Sequence, residues 1–391
     1  MNAAPAFHVM VKPCGASCNL SCQYCYYRAA EALYPDKPLR MAAETLDRFT
    51  KQFIESQLVP EITFAWQGGE PTLMGLDFFR AALDYQSRYQ RPGQVIRNTF
   101  QTNGVLLDDT WCGFLHRHGY LVGISLDGLP EAHNAFRLDK RGVPTYDSVM
   151  KGLALLQRHR VEFNVLTCVH AANAGQPLEV YHFLRDEVGA RFIQFIPVVE
   201  RTSPTDWSSG PATSRSVSGK QFGDFLIAVF DEWIRRDVGE VFIQIFDAAL
   251  GAWFGAPPSM CALAPTCGTA VVLEHNGDVY SCDHFVDSAF LLGNIWDRHI
   301  AQLVGSEQQR RFGLAKREAL PVSCHRCEFL FACHGGCPKD RLLTTPSGET
   351  GLNHLCSGYW AFFNHVRGPM QTMAGLLRKG RAPADIMAML H

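Results

Sequence analysis

Cys18, Cys22 and Cys25 stand three and then two residues apart, directly after an apolar run, His8–Lys12, that reads as a strand. Three thiolates can hold an iron–sulfur cubane while leaving one iron without a protein ligand. A small molecule carrying both an amine and a carboxylate could chelate that iron. The competing assignment is a zinc knuckle, since structural zinc takes four nitrogen or sulfur ligands and Cys14 could be the fourth.

A second group comprises Cys261, Cys267, Cys282, Cys324, Cys327, Cys333, Cys337 and Cys356. Eight thiols suffice for two four-cysteine clusters, or for a pair of zinc-ribbon-like sites. Of the 14 cysteines only Cys112 and Cys168 lie outside the two groups. They fall on an expected helix and strand, where small buried thiols need no function. Met1–Lys12 contains no basic segment followed by an apolar stretch, which predicts a cytoplasmic chain. Thiols stay reduced there, so ligation explains the cysteines better than disulfides do. The 15 histidines include no H-E-x-x-H spacing.

Asp283 directly follows Cys282. A carboxylate beside a reacting carbon can act as a general base, whereas Asp278, next to Gly277, reads as a turn residue.

The elements that must position these groups follow from periodicity. Short apolar runs alternate with amphipathic segments up to Pro197, the pattern of repeated strand–helix units. Strands are expected near His8–Lys12, Ile62–Trp66, Ile96–Gln101, Leu121–Leu126, Val161–Val169 and Phe192–Pro197. Helices are expected near Glu44–Gln57, Phe78–Gln90, Asp109–His118, Tyr146–His159 and Pro177–Glu187. Six strands with right-handed crossovers predict an α/β fold, a partial (β/α)6 barrel open on one side, with functional groups at the carboxyl ends of the strands. Arg201–Gly219, rich in Ser, Thr, Pro and Gly, reads as a hinge. The expected organisation is a barrel over 1–200, a linker with bridging helices over 201–255, and a cysteine-rich domain over 256–391 closed by a C-terminal helix.

With 47% hydrophobic and 19% charged residues, the composition is that of a globular protein, and no apolar run reaches the ~20 residues of a membrane span. A net charge of -2 without a basic tract argues against nucleic acid as a partner.

The C-x3-C-x2-C spacing with Tyr24 before its last cysteine resembles the radical S-adenosylmethionine (SAM) superfamily. Gln67-Gly68-Gly69-Glu70-Pro71 after the second strand, Gln101-Thr102-Asn103-Gly104 after the third and Ser125-Leu126-Asp127-Gly128 after the fourth match the same pattern. The resemblance implies that Gly68, Gly69 and Glu70 receive the methionyl amine of SAM. It further implies that Ser125 and Arg137 serve its ribose and carboxylate, and that Tyr24 lies near the adenine. The second cysteine group resembles the SPASM extension of these enzymes. That implies one auxiliary cluster on Cys261, Cys267, Cys282 and Cys337, and another on Cys324, Cys327, Cys333 and Cys356, with exchange of Cys333 and Cys337 left open. Three [4Fe–4S] clusters result.

An aspartate adjoining Cys282 resembles the anaerobic sulfatase-maturating branch. The implied activity is oxidation of a Cys or Ser side chain, in an unfolded sulfatase polypeptide, to Cα-formylglycine. Asp283 would be the base, and a flavodoxin or ferredoxin would be the electron donor. Rival expectations are a maturase that forms thioether or carbon–carbon crosslinks in a ribosomal peptide, and a zinc-bearing adaptor.

Overall fold

The computed structural model describes residues 6–35, 39–202 and 210–390. Its strands in chain order are β1 (His8–Lys12), β2 (Glu61–Trp66), β3 (Val95–Thr102), β4 (Leu121–Ser125), β5 (Phe163–Val169), β6 (Phe192–Pro197), β7 (Phe242–Ile243), β8 (Ala270–Glu274), β9 (Asp278–Tyr280) and β10 (Leu291–Asn294). The first six match the expected strands closely. Contacts group the chain into two units that interleave in sequence. One comprises residues 1–125, 137–163 and 267–314, and the other comprises 126–136, 164–266 and 315–391.

In the first unit β1 to β4 pair successively in parallel. Helices Ala43–Ser56, Leu76–Tyr89 and Asp109–Arg117 connect them. Alternate residues of the strands are buried, and the helices lay aromatic side chains on them: Phe49, Phe53, Phe64, Trp66, Phe79 and Phe100 are all essentially inaccessible. Such rings contribute ~1.5–3 kcal/mol each on burial. The polar atoms enclosed with them are paired, Trp66 Nε1 donating to Asn98 Oδ1 at 2.7 Å, as burial requires.

The sequence reading missed β8. This strand lies parallel to β1 in full register from His8↔Ala270 to Lys12↔Glu274, and it continues antiparallel into β9 and β10. Its short apolar run sits among the C-terminal cysteines, so local periodicity carried no sign that it pairs near the start of the chain.

The second unit holds β5, β6 and the two-residue β7, also parallel. The segment expected to be one helix over Pro177–Glu187 is α-helical to His182 and then widens into a π turn at Phe183–Glu187. Part of the expected hinge, positions 203–209, lies outside the described residues. Beyond it, Ser218 and Gln221 form a reciprocal capping box at the start of the helix Gly219–Arg236. That helix packs on the expected C-terminal helix, Cys356–Arg378. The approach is close: a Cβ on Gly358 would lie 2.0 Å from the carbonyl oxygen of Gly219, so only glycine fits there. Among the described residues no helix is long and apolar enough to cross a membrane. The architecture is thus α/β with a parallel sheet core, a cysteine-rich segment and a C-terminal helix.

Candidate active site

The loop after β1 carries Cys18, Cys22 and Cys25, and the Gly68–Glu70 loop after β2 is laced to it. Gly69 N donates to Gly15 O at 2.7 Å and Glu70 N to Ser17 O at 2.9 Å. A Cβ on Gly69 would sit 1.9 Å from Ser17 O. Gly69→Ala is therefore expected to push the cysteine loop aside, at a cost of about 1–3 kcal/mol. Iron analysis and SAM cleavage should both show the loss.

The Cys18 thiol is pushed up to about 12, chiefly by burial, with Glu70, Cys22 and Cys25 adding to the effect and the backbone N–H of Leu20 opposing it. Leu20 N donates to Cys18 Sγ at 3.3 Å. Thiols that burial keeps protonated release their protons when a metal takes their place. The three cysteines share one loop and influence one another, with Leu20 N and Asn103 Nδ2 directed at Cys18 Sγ. Their type and number suit an iron–sulfur cubane, while among the described residues no three such side chains stand gathered at metal-binding distance. Cys14 does not share this arrangement. It is buried, with Sγ 3.3 Å from Glu70 O, and its thiol is raised to about 12 mainly by burial. It donates to the loop instead of facing the triad, so Cys14→Ser should retain the full iron content of the protein.

Glu70 is 1% exposed. Its Oε1 accepts from Thr72 N (3.1 Å), Thr72 Oγ1 (2.7 Å) and Thr102 Oγ1 (2.8 Å), and its Oε2 accepts from Asn103 N (2.8 Å). The carboxylate thus ties the loops after β2 and β3 together. Oε2, with one donor, keeps room for an ammonium. Asn103 Nδ2 in turn donates to Asn19 Oδ1 at 2.8 Å within the cysteine loop.

Ser125 at the end of β4 receives Gln101 Nε2 at 3.0 Å. Arg137 is buried with its guanidinium 5.6 Å from the centroid of Tyr24. Its segment is pinned to the cysteine loop, since Ser21 N donates to Leu138 O at 2.8 Å and Leu20 bridges to Asp139. The loops after β1 and β2 and the Arg137 segment therefore bring Tyr24, Gly68, Gly69, Glu70 and Arg137 to the cysteine loop, and Ser125 stands at the carboxyl end of β4 in the same unit. These are the groups expected from sequence to meet SAM.

Asp283 belongs to the same unit and is also buried. Lys12 Nζ lies 2.6 Å from its Oδ1, and the Tyr26 hydroxyl donates to its Oδ2. Burial alone would raise this carboxyl, but Lys12, His284 and Tyr26 outweigh it and hold the group below its ordinary range. Tyr26, whose ring lies 4.5 Å from that of His284, feels both Cys25 and Cys282, so Asp283 sits between the two cysteine segments. The sequence reading missed Lys12, Tyr26, Tyr27 and Glu274. The paired tyrosines directly after Cys25 were the available signal.

Of the C-terminal cysteines, Cys267 and Cys282 belong to the first unit and the rest to the second. Within the second, the Cys333 thiol is raised to about 12 by burial, with Cys356, Cys324 and Cys327 adding to it. Cys337 is likewise raised to about 12, mainly by burial, but the cysteine it feels is Cys261. The helix Leu330–Cys333 ends in three successive left-handed residues, His334, Gly335 and Gly336, which reverse the chain between Cys333 and Cys337.

A cysteine triad on the first β/α loop of a parallel sheet, with polar groups converging from the following strand ends, defines the radical SAM class. Residues 13–184 match the Radical SAM superfamily, and residues 263–328 match SPASM, an iron–sulfur cluster-binding domain. The chain is 44% identical to a serine-type anaerobic sulfatase-maturating enzyme of Bacteroides thetaiotaomicron, over 99% of this chain and 96% of that protein. It is 32% identical to a cysteine-type anaerobic sulfatase-maturating enzyme of Clostridium perfringens, over 93% and 96%. The solved structure described as native anSMEcpe with bound AdoMet and Kp18Cys peptide superimposes with a TM-score of 0.85 at 30% identity, covering 95% of this chain and 99% of that one. The chain belongs to the anaerobic sulfatase-maturating enzymes.

Proposed function

We propose that this protein oxidises a Cys or Ser side chain of an unfolded sulfatase polypeptide to Cα-formylglycine. The observation that carries the reading is Asp283, a buried carboxylate held ionised beside the SAM-binding loops, in a chain whose full-length relatives mature sulfatases. When bound, SAM on the cluster held by Cys18, Cys22 and Cys25 supplies a 5′-deoxyadenosyl radical that takes a β-hydrogen atom, and two further clusters supply an acceptor for the second electron.

The chain's own residues do the rest. Glu70 and Arg137 receive the charged ends of methionyl SAM, Ser125 its ribose, and Tyr24 its adenine. Cys261, Cys267, Cys282 and Cys337 hold one auxiliary cluster, and Cys324, Cys327, Cys333 and Cys356 hold the other. Loss of hydrogen from the carbon acidifies the attached hydroxyl or thiol, and Asp283 takes that proton. Serine then yields the aldehyde directly. Cysteine yields a thioaldehyde, which water converts to the aldehyde with release of hydrogen sulfide. The electron entering the first cluster comes from a flavodoxin- or ferredoxin-like carrier, and the reaction belongs in the cytoplasm, where thiols remain reduced.

The test is anaerobic incubation with SAM, a strong reductant and sulfatase-derived peptides containing Cys or Ser. Formylglycine is expected together with 5′-deoxyadenosine, read by mass spectrometry and by capture with an aldehyde-reactive probe. A crosslinked peptide without aldehyde would overturn this reading.

A further inference from the structure

Lys12 is 2% exposed, and a buried ammonium is costly unless closely paired. Its side chain leaves the last position of β1, opposite Glu274 on β8 in the sheet register. Its ammonium lies 4.3 Å from the centroid of the Tyr27 ring, and the Tyr27 hydroxyl donates to Glu274 Oε1. The phenol takes one oxygen of Glu274, the other lies 3.6 Å from His275 Nδ1, and the ion pair that Lys12 makes at 2.6 Å is with Asp283 Oδ1. The other carboxylate oxygen is taken by Tyr26. One oxygen therefore faces a cation anchored in the sheet and the other a phenol from the cysteine loop, which fixes the plane of the carboxylate.

We propose that Lys12 is a positioning residue for Asp283, holding the carboxylate in the plane in which it meets the substrate hydroxyl or thiol. The proposal rests on the reading of Asp283 as the base. Lys12 touches neither SAM nor substrate in this scheme and acts only through Asp283. It belongs to the sheet, a rigid element, whereas Tyr26 opens the short 3-10 helix Tyr26–Leu33 and Asp283 lies in a turn. Without the ammonium, Oδ1 loses its ionic partner, and the carboxylate is free to rotate. A displacement of about 1 Å in a reacting group can cost on the order of a hundredfold in rate.

The readout is the ratio of formylglycine to 5′-deoxyadenosine, together with iron content and the SAM-induced change in the electron paramagnetic resonance of the first cluster. Lys12→Met is expected to lower the ratio roughly tenfold or more while the resonance change persists, and Lys12→Arg to recover most of it. In an Asp283→Asn background, Lys12→Met should cause no further fall in the ratio, because residues that act through one another are not additive. An unchanged ratio in Lys12→Met overturns the proposal. So does loss of iron or of the resonance change, which assigns Lys12 to the fold. A further fall in the double variant also overturns it. If Asp283→Asn itself keeps the full ratio, the reading of Asp283 as base fails first, and that result is separate from any result at Lys12.

Discussion

Asp283→Asn should leave SAM cleavage running and lower formylglycine formation by roughly 10²–10⁴-fold, the range over which a positioned acid or base usually acts. The substitution keeps the shape of the side chain and an oxygen for one of its partners, so the loops should remain in place. What it removes is the ability to accept a proton. The carboxyl of Asp283 is held below its ordinary range because Lys12, His284 and Tyr26 outweigh its burial, so the group is ionised and ready at neutral pH. Asparagine has no such state. With a β-deuterated Ser peptide, deuterium should still appear in 5′-deoxyadenosine from the variant, since hydrogen abstraction precedes the missing step. Deuterium transfer without aldehyde would place Asp283 after the radical step. Normal aldehyde yield would remove it from the mechanism.

The residues legible in the sequence were those whose chemistry restricts both type and spacing. Three cysteines on one loop, a Gly-Gly-Glu after the second strand and an aspartate beside Cys282 each have few substitutes, and local order already places them at strand ends. The structure adds what those groups need in order to be held, and this depends on contacts remote in sequence. Lys12 looks like the polar end of an apolar strand. It is buried because β8 lies beside β1 and brings Glu274 into register with it, a pairing that no local periodicity encodes. Glu70 shows a related gap. Sequence suggested a group reaching for an ammonium, whereas four protein donors already converge on its carboxylate. Those bonds join the loops after β2 and β3 whether or not a ligand is bound.

The order of the C-terminal cysteines left two arrangements open, because Cys333 and Cys337 are separated by only three residues. Backbone geometry and burial bear on the choice. Gly335 and Gly336 have positive φ, and His334 also adopts a left-handed conformation, with φ of 47°. The three residues turn the chain between Cys333, whose thiol feels Cys356, Cys324 and Cys327, and Cys337, which feels Cys261, and this supports the first arrangement as the one proposed. A non-glycine residue in that conformation is uncommon, and its place in the sequence gave no warning of it.

Replacing Cys18, Cys22 and Cys25 together by Ala should abolish 5′-deoxyadenosine formation altogether and lower bound iron from roughly twelve to about eight atoms per chain, if each cluster is a four-iron cubane. The two losses need not coincide in size. In the proposed scheme SAM cleavage depends wholly on the iron that this triad leaves open, whereas the eight C-terminal cysteines are expected to keep their own clusters. Retention is expected most firmly for Cys324, Cys327, Cys333 and Cys356, which all belong to the second unit, two of them on its helices Leu330–Cys333 and Cys356–Arg378. Iron and acid-labile sulfide assays, with the remaining clusters observed by electron paramagnetic resonance after reduction, separate the possibilities. Loss of all iron would mean that the first cluster is needed for the others to assemble. Unchanged iron would remove the triad as a ligand set, and zinc in place of iron at any of the three sites would return the chain to the zinc-bearing alternative. The predicted one-third loss of iron with complete loss of SAM cleavage follows only if one open-iron site does the cleavage and two closed sites serve electron transfer.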